Sequence, residues 1–275
     1  MKLAKPRVYR SASSMEGEMA AAIDRRALVA LFGSAIAWPL AARAARAQQQ
    51  SQRILYCTNS AGYRHEAIPL SQTILKQLAK NSGLFDVTAT EDMAEFTTEK
   101  LARYAAVMFY TTGELPMSNM QKAALLNFVR SGRGFLGAHC ATDTFYEWPD
   151  YRALIGGYFD GHPWHQSVRV EVADPASSLV SFLGRSFEIK DEIYQIRDFE
   201  EQGSHVLLRL DPSSVDLTRD GVHRRSYGWP LAWTRSYGRG RVFYTALGHE
   251  EAVWQDARYQ RLLLNAIQWS IQGSK

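Results

Sequence analysis

Residues 133–143 read Arg-Gly-Phe-Leu-Gly-Ala-His-Cys-Ala-Thr-Asp. A short apolar strand, Arg133 to His139, runs straight into a turn that carries His139, Cys140, Thr142 and Asp143. Gly137 lets the backbone bend sharply at that point. Open α/β sheets bind ligands outside the carboxyl ends of their strands, and packing alone does not call for titratable residues there. After a short gap comes Gly156-Gly-Tyr-Phe-Asp-Gly-His-Pro-Trp-His165, so three of the seven histidines fall between residues 139 and 165.

Working outward, the same grammar repeats. Arg53 to Thr58 reads as a first strand, and His65 to Asn81 carries apolar residues at helical spacing. Phe85 to Ala89 alternates as a second strand, and Thr97 to Arg103 forms a short helix. Ala105 to Tyr110 is apolar almost throughout, as expected of a strand covered on both faces. Ser118 caps a helix that runs through Ser131. Strand and helix alternate three times and end on a fourth strand, which implies a doubly wound, mostly parallel α/β sheet. Beyond it, residues 167–173, 187–197 and 205–210 read as short strands without helices between them, a β-rich insertion or edge. Leu231–Arg235 and Arg239–Thr245 form a hairpin, and Asp256–Gln272 an amphipathic helix.

Residues 1–47 read as a secretory leader. Arg25-Arg26 precedes the apolar run Ala27–Leu40, and Ala45-Arg-Ala47 offers a cleavage site after Ala47. The arginine pair points to the twin-arginine route and a periplasmic destination. About 14 apolar residues fall short of the roughly 20 that span a bilayer, so no stable membrane span is expected in the mature chain. The leader holds 8 of the 32 basic and 3 of the 28 acidic residues. The rest therefore carries 24 against 25, a net charge of −1 that gives no support for nucleic acid as a partner. Residues 48–275 fit one domain. A homo-oligomer is compatible with that chain. Two cysteines, Cys57 and Cys140, exclude a disulfide scaffold. Both sit at strand ends, either as free buried thiols or as one disulfide.

The candidate chemistry lies in the loops after the strands. His139 is read as a metal ligand or general base, against a hydrogen-bonded core histidine. Asp143 either orients an imidazole or caps the following turn. His162, held by Pro163, suits ligation or substrate contact. Trp164 offers a flat face of the kind that stacks on sugars, and His165 reads as surface. Tyr63-Arg-His-Glu66 occupies the loop after the first strand, with His65 and Glu66 opening the first helix. Lys190-Asp-Glu-Ile-Tyr194 is either a solvated turn or a carboxylate site. His249, after Gly248, follows the last strand and is placed to meet His139. Cys140 would need a lowered pKa and a base to act as a nucleophile. His205 and His223 have no comparable setting.

The segments Gly62-Tyr-Arg-His65, Gly137-Ala-His-Cys-Ala-Thr-Asp143, Gly156–Pro163, Asp191-Glu-Ile-Tyr194, Pro230–Thr234, Gly238–Thr245 and Leu247-Gly-His249 together resemble the ThuA-like, or trehalose utilisation, family. The resemblance covers about residues 53–272. It implies a flavodoxin-like sheet related to class I glutamine amidotransferases, with His139 where those relatives place a cysteine. It carries over to His65, His139, Asp143, His162, Glu192 and His249, and implies disaccharide catabolism through 3-keto sugars made by a partner sugar dehydrogenase.

The functional expectation is an enzyme that cleaves or converts 3-keto glycosides by metal-assisted acid–base chemistry. His139, His162 and His249 would hold a divalent metal such as zinc. His65, His139, Asp143 and Glu192 would carry the catalysis, and Tyr63, Trp164 and Tyr194 would bind the sugar. Two alternatives stand beside it: a non-catalytic sugar-binding partner of a dehydrogenase, and a cysteine hydrolase or amidotransferase using Cys140.

Overall fold

A computed structural model describes residues 52–224 and 227–272; the leader expected over residues 1–47 lies outside them. Four parallel strands appear in the expected order: β1 (Gln52–Cys57), β2 (Phe85–Thr90), β3 (Ala106–Phe109) and β4 (Gly134–Ala138). Helices α1 (Ile68–Ser82), α2 (Thr98–Leu101) and α3 (Asn119–Arg130) lie between them, and α4 (Pro149–Ile155) follows β4. β3 and β4 are buried at every residue, which explains their continuous apolar reading. At the start of α3 the Ser118 hydroxyl accepts from Gln121 N–H while the Gln121 side chain accepts from Ser118 N–H, a full capping box.

The first helix departs from expectation. It begins at Ile68 rather than His65, with Pro69 in its first turn, where a missing N–H costs nothing. His65 therefore sits in the preceding loop, where its carbonyl accepts the Ile68 N–H at 3.3 Å.

After β4 the chain builds β5 (Tyr158–Phe159), β6 (Trp164–Val172), β7 (Ser186–Ile193), β8 (Ile196–Arg197), β9 (Ser204–Leu210), β10 (Pro230–Tyr237) and β11 (Gly240–Thr245). Helices α5 (Glu251–Gln255) and α6 (Ala257–Ile271) close the domain. The β-rich part is an extension of the main sheet. Nine strands run in the order β2-β1-β3-β4-β11-β10-β9-β6-β7, while β5 and β8 pair separately. β11 lies parallel to β4, and every pair from β11 outward to β7 is antiparallel.

This topology decides where the site is built. Alternation of direction makes β7 run the same way as β11, with β6 reversed. The end of β7, the start of β6 and the ends of the parallel strands therefore share one edge. In a flat sheet β7 would stand four spacings from β11, about 19 Å. Yet Asp191 on β7 accepts the Gly248 N–H after β11 at 2.7 Å. The antiparallel half must curl back over the strand ends, as a twisted sheet can.

Candidate functional site

His139 follows β4 directly, at φ +43°. A non-glycine residue held in that region costs about 1–3 kcal/mol and persists only where its surroundings over-determine it. Two bonds do so here. Its Nδ1 lies 2.8 Å from the Ala246 carbonyl, and its own carbonyl accepts the Tyr244 hydroxyl at 2.7 Å. Gly137 leaves room for the bend, since a Cβ there would stand 3.0 Å from the side chains of Ala141 and Tyr244.

A carbonyl can only accept, so Nδ1 of His139 carries a proton and its Nε2 offers a lone pair when the ring is neutral. That Nε2 lies 3.3 Å from His249 Nδ1 and 3.5 Å from Glu192 Oε2. His249 Nδ1 is itself 3.3 Å from Glu192 Oε2, and His162 Nδ1 is 3.1 Å from Oε1. Lone pairs and a carboxylate converge here, and they hold together only around a positive charge, a shared proton or a cation. The titration behaviour says the same. Burial alone would raise the Glu192 carboxyl, but the interactions with the adjacent His139 and His249 rings outweigh it and hold the group well below its usual range. The hydrogen bond to Glu192 raises His249, against the opposing effect of burial.

His65 completes the cluster from the β1 loop. Its ring centroid lies 5.0 Å from His139 and 5.1 Å from His249. Burial, and then the neighbouring imidazoles, push its pKa down to about 3, so the ring is neutral. Its Nδ1 is buried without a hydrogen-bond partner, which normally costs about 1–3 kcal/mol.

The loop bearing His249 is clamped from several sides. Asp191, fully buried, accepts the N–H groups of Gly248, His249 and Glu250 at 2.7, 3.1 and 3.1 Å. The Gly248 carbonyl accepts from Tyr110 and Trp254. Gly248 sits at φ +126°, and a Cβ there would meet the Tyr259 hydroxyl at 2.6 Å. Asp191 was not among the expected site residues. Its signal is that Phe187, Ile189, Asp191 and Ile193 share one face of β7, which places a carboxylate in an apolar row.

The other expected residues divide. Tyr63 is exposed, edge-on to His65 at 4.9 Å and stacked at 6.5 Å on His249, so it can meet a substrate. Tyr194 is a buried wall, its ring 4.1 Å from His139. Trp164 corrects its expectation. It is fully buried against Trp229 and donates to the Asp216 carbonyl, leaving no face for a sugar; its place at the start of β6 points it into the core. The Asp143 carboxylate accepts the Tyr146 hydroxyl at 2.6 Å, three residues on, across the turn that follows β4.

His65, rather than His162, joins His139 and His249 as a set whose ligand atoms lie within 4.8 Å of one another. His162 is half-exposed and reaches only Glu192 among these groups, because its loop approaches from the solvent side. His165 is more than surface: it pairs with Glu250 beside His249. His205 and His223 are exposed and paired with Asp174 and Asp160, and neither belongs to the set of convergent ligand atoms. Both cysteines are free and buried. Burial pushes the Cys140 thiol well up, with Asp143 adding to it, and Cys57 up to about 12. Cys140 thus lacks the thiolate that a nucleophile needs.

Three imidazoles, one of them with an orphaned ring nitrogen at His65, form a donor set that fits a zinc-type cation. Among the described residues no helix is long and apolar enough to cross a membrane.

Comparison with known proteins agrees with this architecture. A crystal structure of a putative ThuA-like protein from Bacteroides uniformis is similar at 25% identity, with a TM-score of 0.69 over 82% of this chain and 93% of that one. One from Parabacteroides merdae is similar at 22% identity and TM-score 0.65, over 82% and 91%. A cytoplasmic protein from Salmonella typhimurium shares the fold at 13% identity and TM-score 0.58, over 80% and 99%. No curated protein sequence matches the chain. The sequence profile of the ThuA family, described as trehalose utilisation, matches residues 53–270. With its amidotransferase-like sheet and a histidine at the elbow, the chain belongs to the ThuA family, and the carbohydrate-related role of that family goes with it.

Proposed function

We propose that the protein is a periplasmic enzyme that cleaves 3-keto glycosides of the trehalose type by acid–base elimination. One observation carries the reading: three imidazoles and an ionised carboxylate meet at the ligand-binding edge of a carbohydrate-family sheet. A ketone acidifies the neighbouring C–H. Glu192 takes that proton, a carbon–carbon double bond forms, and the bond to the glycosidic oxygen breaks. The departing oxygen needs a proton in return. Glu192 is a weak base by itself, because its ionised form is so well stabilised. His162, half-exposed against Glu192 Oε1, passes the proton on and supplies one to the leaving oxygen. Tyr63 gives the sugar an exposed ring to lie on.

His65, His139 and His249 would hold a divalent cation, which supplies Lewis-acid polarisation of the ketone oxygen when bound. The Ala246 carbonyl keeps His139 in the tautomer that such binding requires. A sugar 3-dehydrogenase would supply the substrate, and the twin-arginine-type leader would place the protein beside it.

Incubation with 3-keto-trehalose and other 3-keto glycosides, with and without chelator, tests the reading by mass spectrometry. The expected result is free hexose and an unsaturated keto product, lost on chelation. Tight binding with no product would instead make the protein a sugar-binding accessory. The absence of both binding and conversion would sink the proposal.

A further inference from the structure

Beside the inner cluster stands a second one. His165, His249 and Glu250 also bring their ligand atoms within 4.8 Å of one another. The His165 and His249 rings are 5.3 Å apart at 76°, and His165 Nε2 is in close contact with Glu250 Oε1. His165 lies directly across from Glu192 in the β6–β7 register, so both side chains leave the same face of the ribbon. The two clusters are therefore neighbours by construction.

An exposed ion pair between a histidine and a glutamate contributes little by itself. Two of these three groups are nevertheless fixed in advance. The buried Asp191 carboxylate holds the N–H groups of His249 and Glu250 through one oxygen, Oδ1. The backbone that presents the imidazole and the carboxylate is thus rigid before any ligand arrives. His249 has a different job at each edge of its ring. Nδ1 faces His139 and Glu192, which leaves Nε2 for the outer side. The burial gradient matches: the His249 side chain is 21% exposed, Glu250 32% and His165 46%. The outer set opens to solvent and leaves coordination positions free. Two imidazoles and one carboxylate form a donor set that suits zinc-type cations.

We propose that the protein binds a second divalent cation between His165, His249 and Glu250, with the His249 imidazole shared between the outer and the inner site. Occupancy of both ring nitrogens displaces the ring N–H proton to solvent, so uptake of the second cation releases one proton. The inference rests on the inner metal site only in sharing His249. Chemically, it would place two cations at one sugar-facing edge, as in centres that clamp two oxygens of a substrate.

The test is a count. The full chain is stripped of metal, equilibrated with Zn²⁺ or Co²⁺, desalted and analysed for metal per chain. Circular dichroism and a thermal melt confirm that each variant is folded. Two cations per chain are expected for the wild type, and one for His165→Ala and for Glu250→Gln. For Co²⁺, the visible absorption assigned to the outer site should vanish in both variants. One cation per wild-type chain, unchanged in those variants but lost in His139→Ala, overturns the outer site and leaves the inner one standing. Two cations that both persist in His165→Ala and Glu250→Gln also overturn it. No bound cation at all overturns both sites.

Discussion

The carboxylate of Asp191 accepts the backbone N–H of His249 at 3.1 Å, and that bond joins the outermost antiparallel strand to the end of the last parallel one. With its companions to Gly248 and Glu250 it sets the position of an imidazole that touches both His139 and Glu192. Asp191 touches no reacting group itself. It is a positioning residue.

Replacing it separates position from chemistry. Asp191→Asn should destabilise the domain by about 2–4 kcal/mol, because the amide has one acceptor for three buried donors and adds donors of its own. Urea denaturation measures this. Metal affinity should fall alongside, although no ligand has been removed; unchanged stability and affinity would count against the clamp.

His65 makes the metal-free protein sensitive to acid. Its pKa falls from 6.5 to about 3 on folding. Below pH 6.5 the unfolded chain therefore takes up a proton that the folded chain refuses, and stability is lost as pH drops from 6.5 toward 3. Glu192, held below its usual 4.5, contributes stability above about pH 4.5 that is lost on further acidification. His249 acts in the opposite sense: its raised pKa contributes stability below pH 6.5 that fades as pH rises through the folded value. Urea midpoints against pH should show a shallower decline between pH 6.5 and 3 in His65→Asn than in the wild type.

Glu192 is the residue the proposed chemistry depends on most. Glu192→Gln should lower kcat on a 3-keto glycoside by about 10²–10⁴-fold, the usual worth of a positioned base, with KM little changed. Steady-state kinetics on the folded variant decide it.

Thiol chemistry should be silent in the native state. Cys57 and Cys140 are buried with raised pKa values, so Ellman's reagent should find no thiol until denaturant is added, and then two. Cys140→Ala should keep turnover within about threefold, since no covalent step is assigned to it.

Trp164 and Tyr63 should respond to truncation in opposite ways. Trp164→Ala removes a fully buried ring and should cost about 3–5 kcal/mol of stability. Tyr63→Ala removes an exposed ring, so it should leave the melting temperature unchanged while raising KM for the sugar. A shift in KM alone from Trp164→Ala would contradict its core placement.

Much of this was legible in the chain. The alternation of apolar strand and amphipathic helix up to residue 138 reads directly as parallel β1 to β4, because strand and helix periods are local properties. The elbow at His139 and the place of His249 after a strand were legible for the same reason. Helix onset at Ile68 instead of His65 was missed, although Pro69 carries the signal: a helix begun at His65 would set the proline ring against the His65 carbonyl and lose that hydrogen bond.

Which residues converge is another matter. Periodicity shows that Trp164 and His165 alternate along one strand, but it does not say which of them faces the core. The fold turned the tryptophan inward and the histidine out, toward Glu250. His162 and His65 both sat in plausible loops, and only the loops' approach to the sheet edge placed His65 in the inner cluster and His162 against Glu192.

The sequence by itself determined the class of sheet, the edge where chemistry collects and the types of residue found there. Tertiary structure alone decided the set. The antiparallel half must curl across about four strand spacings before Asp191 and Glu192 can reach His249, and that closure depends on sheet twist and on buried N–H groups finding a carboxylate, neither of which any local pattern encodes.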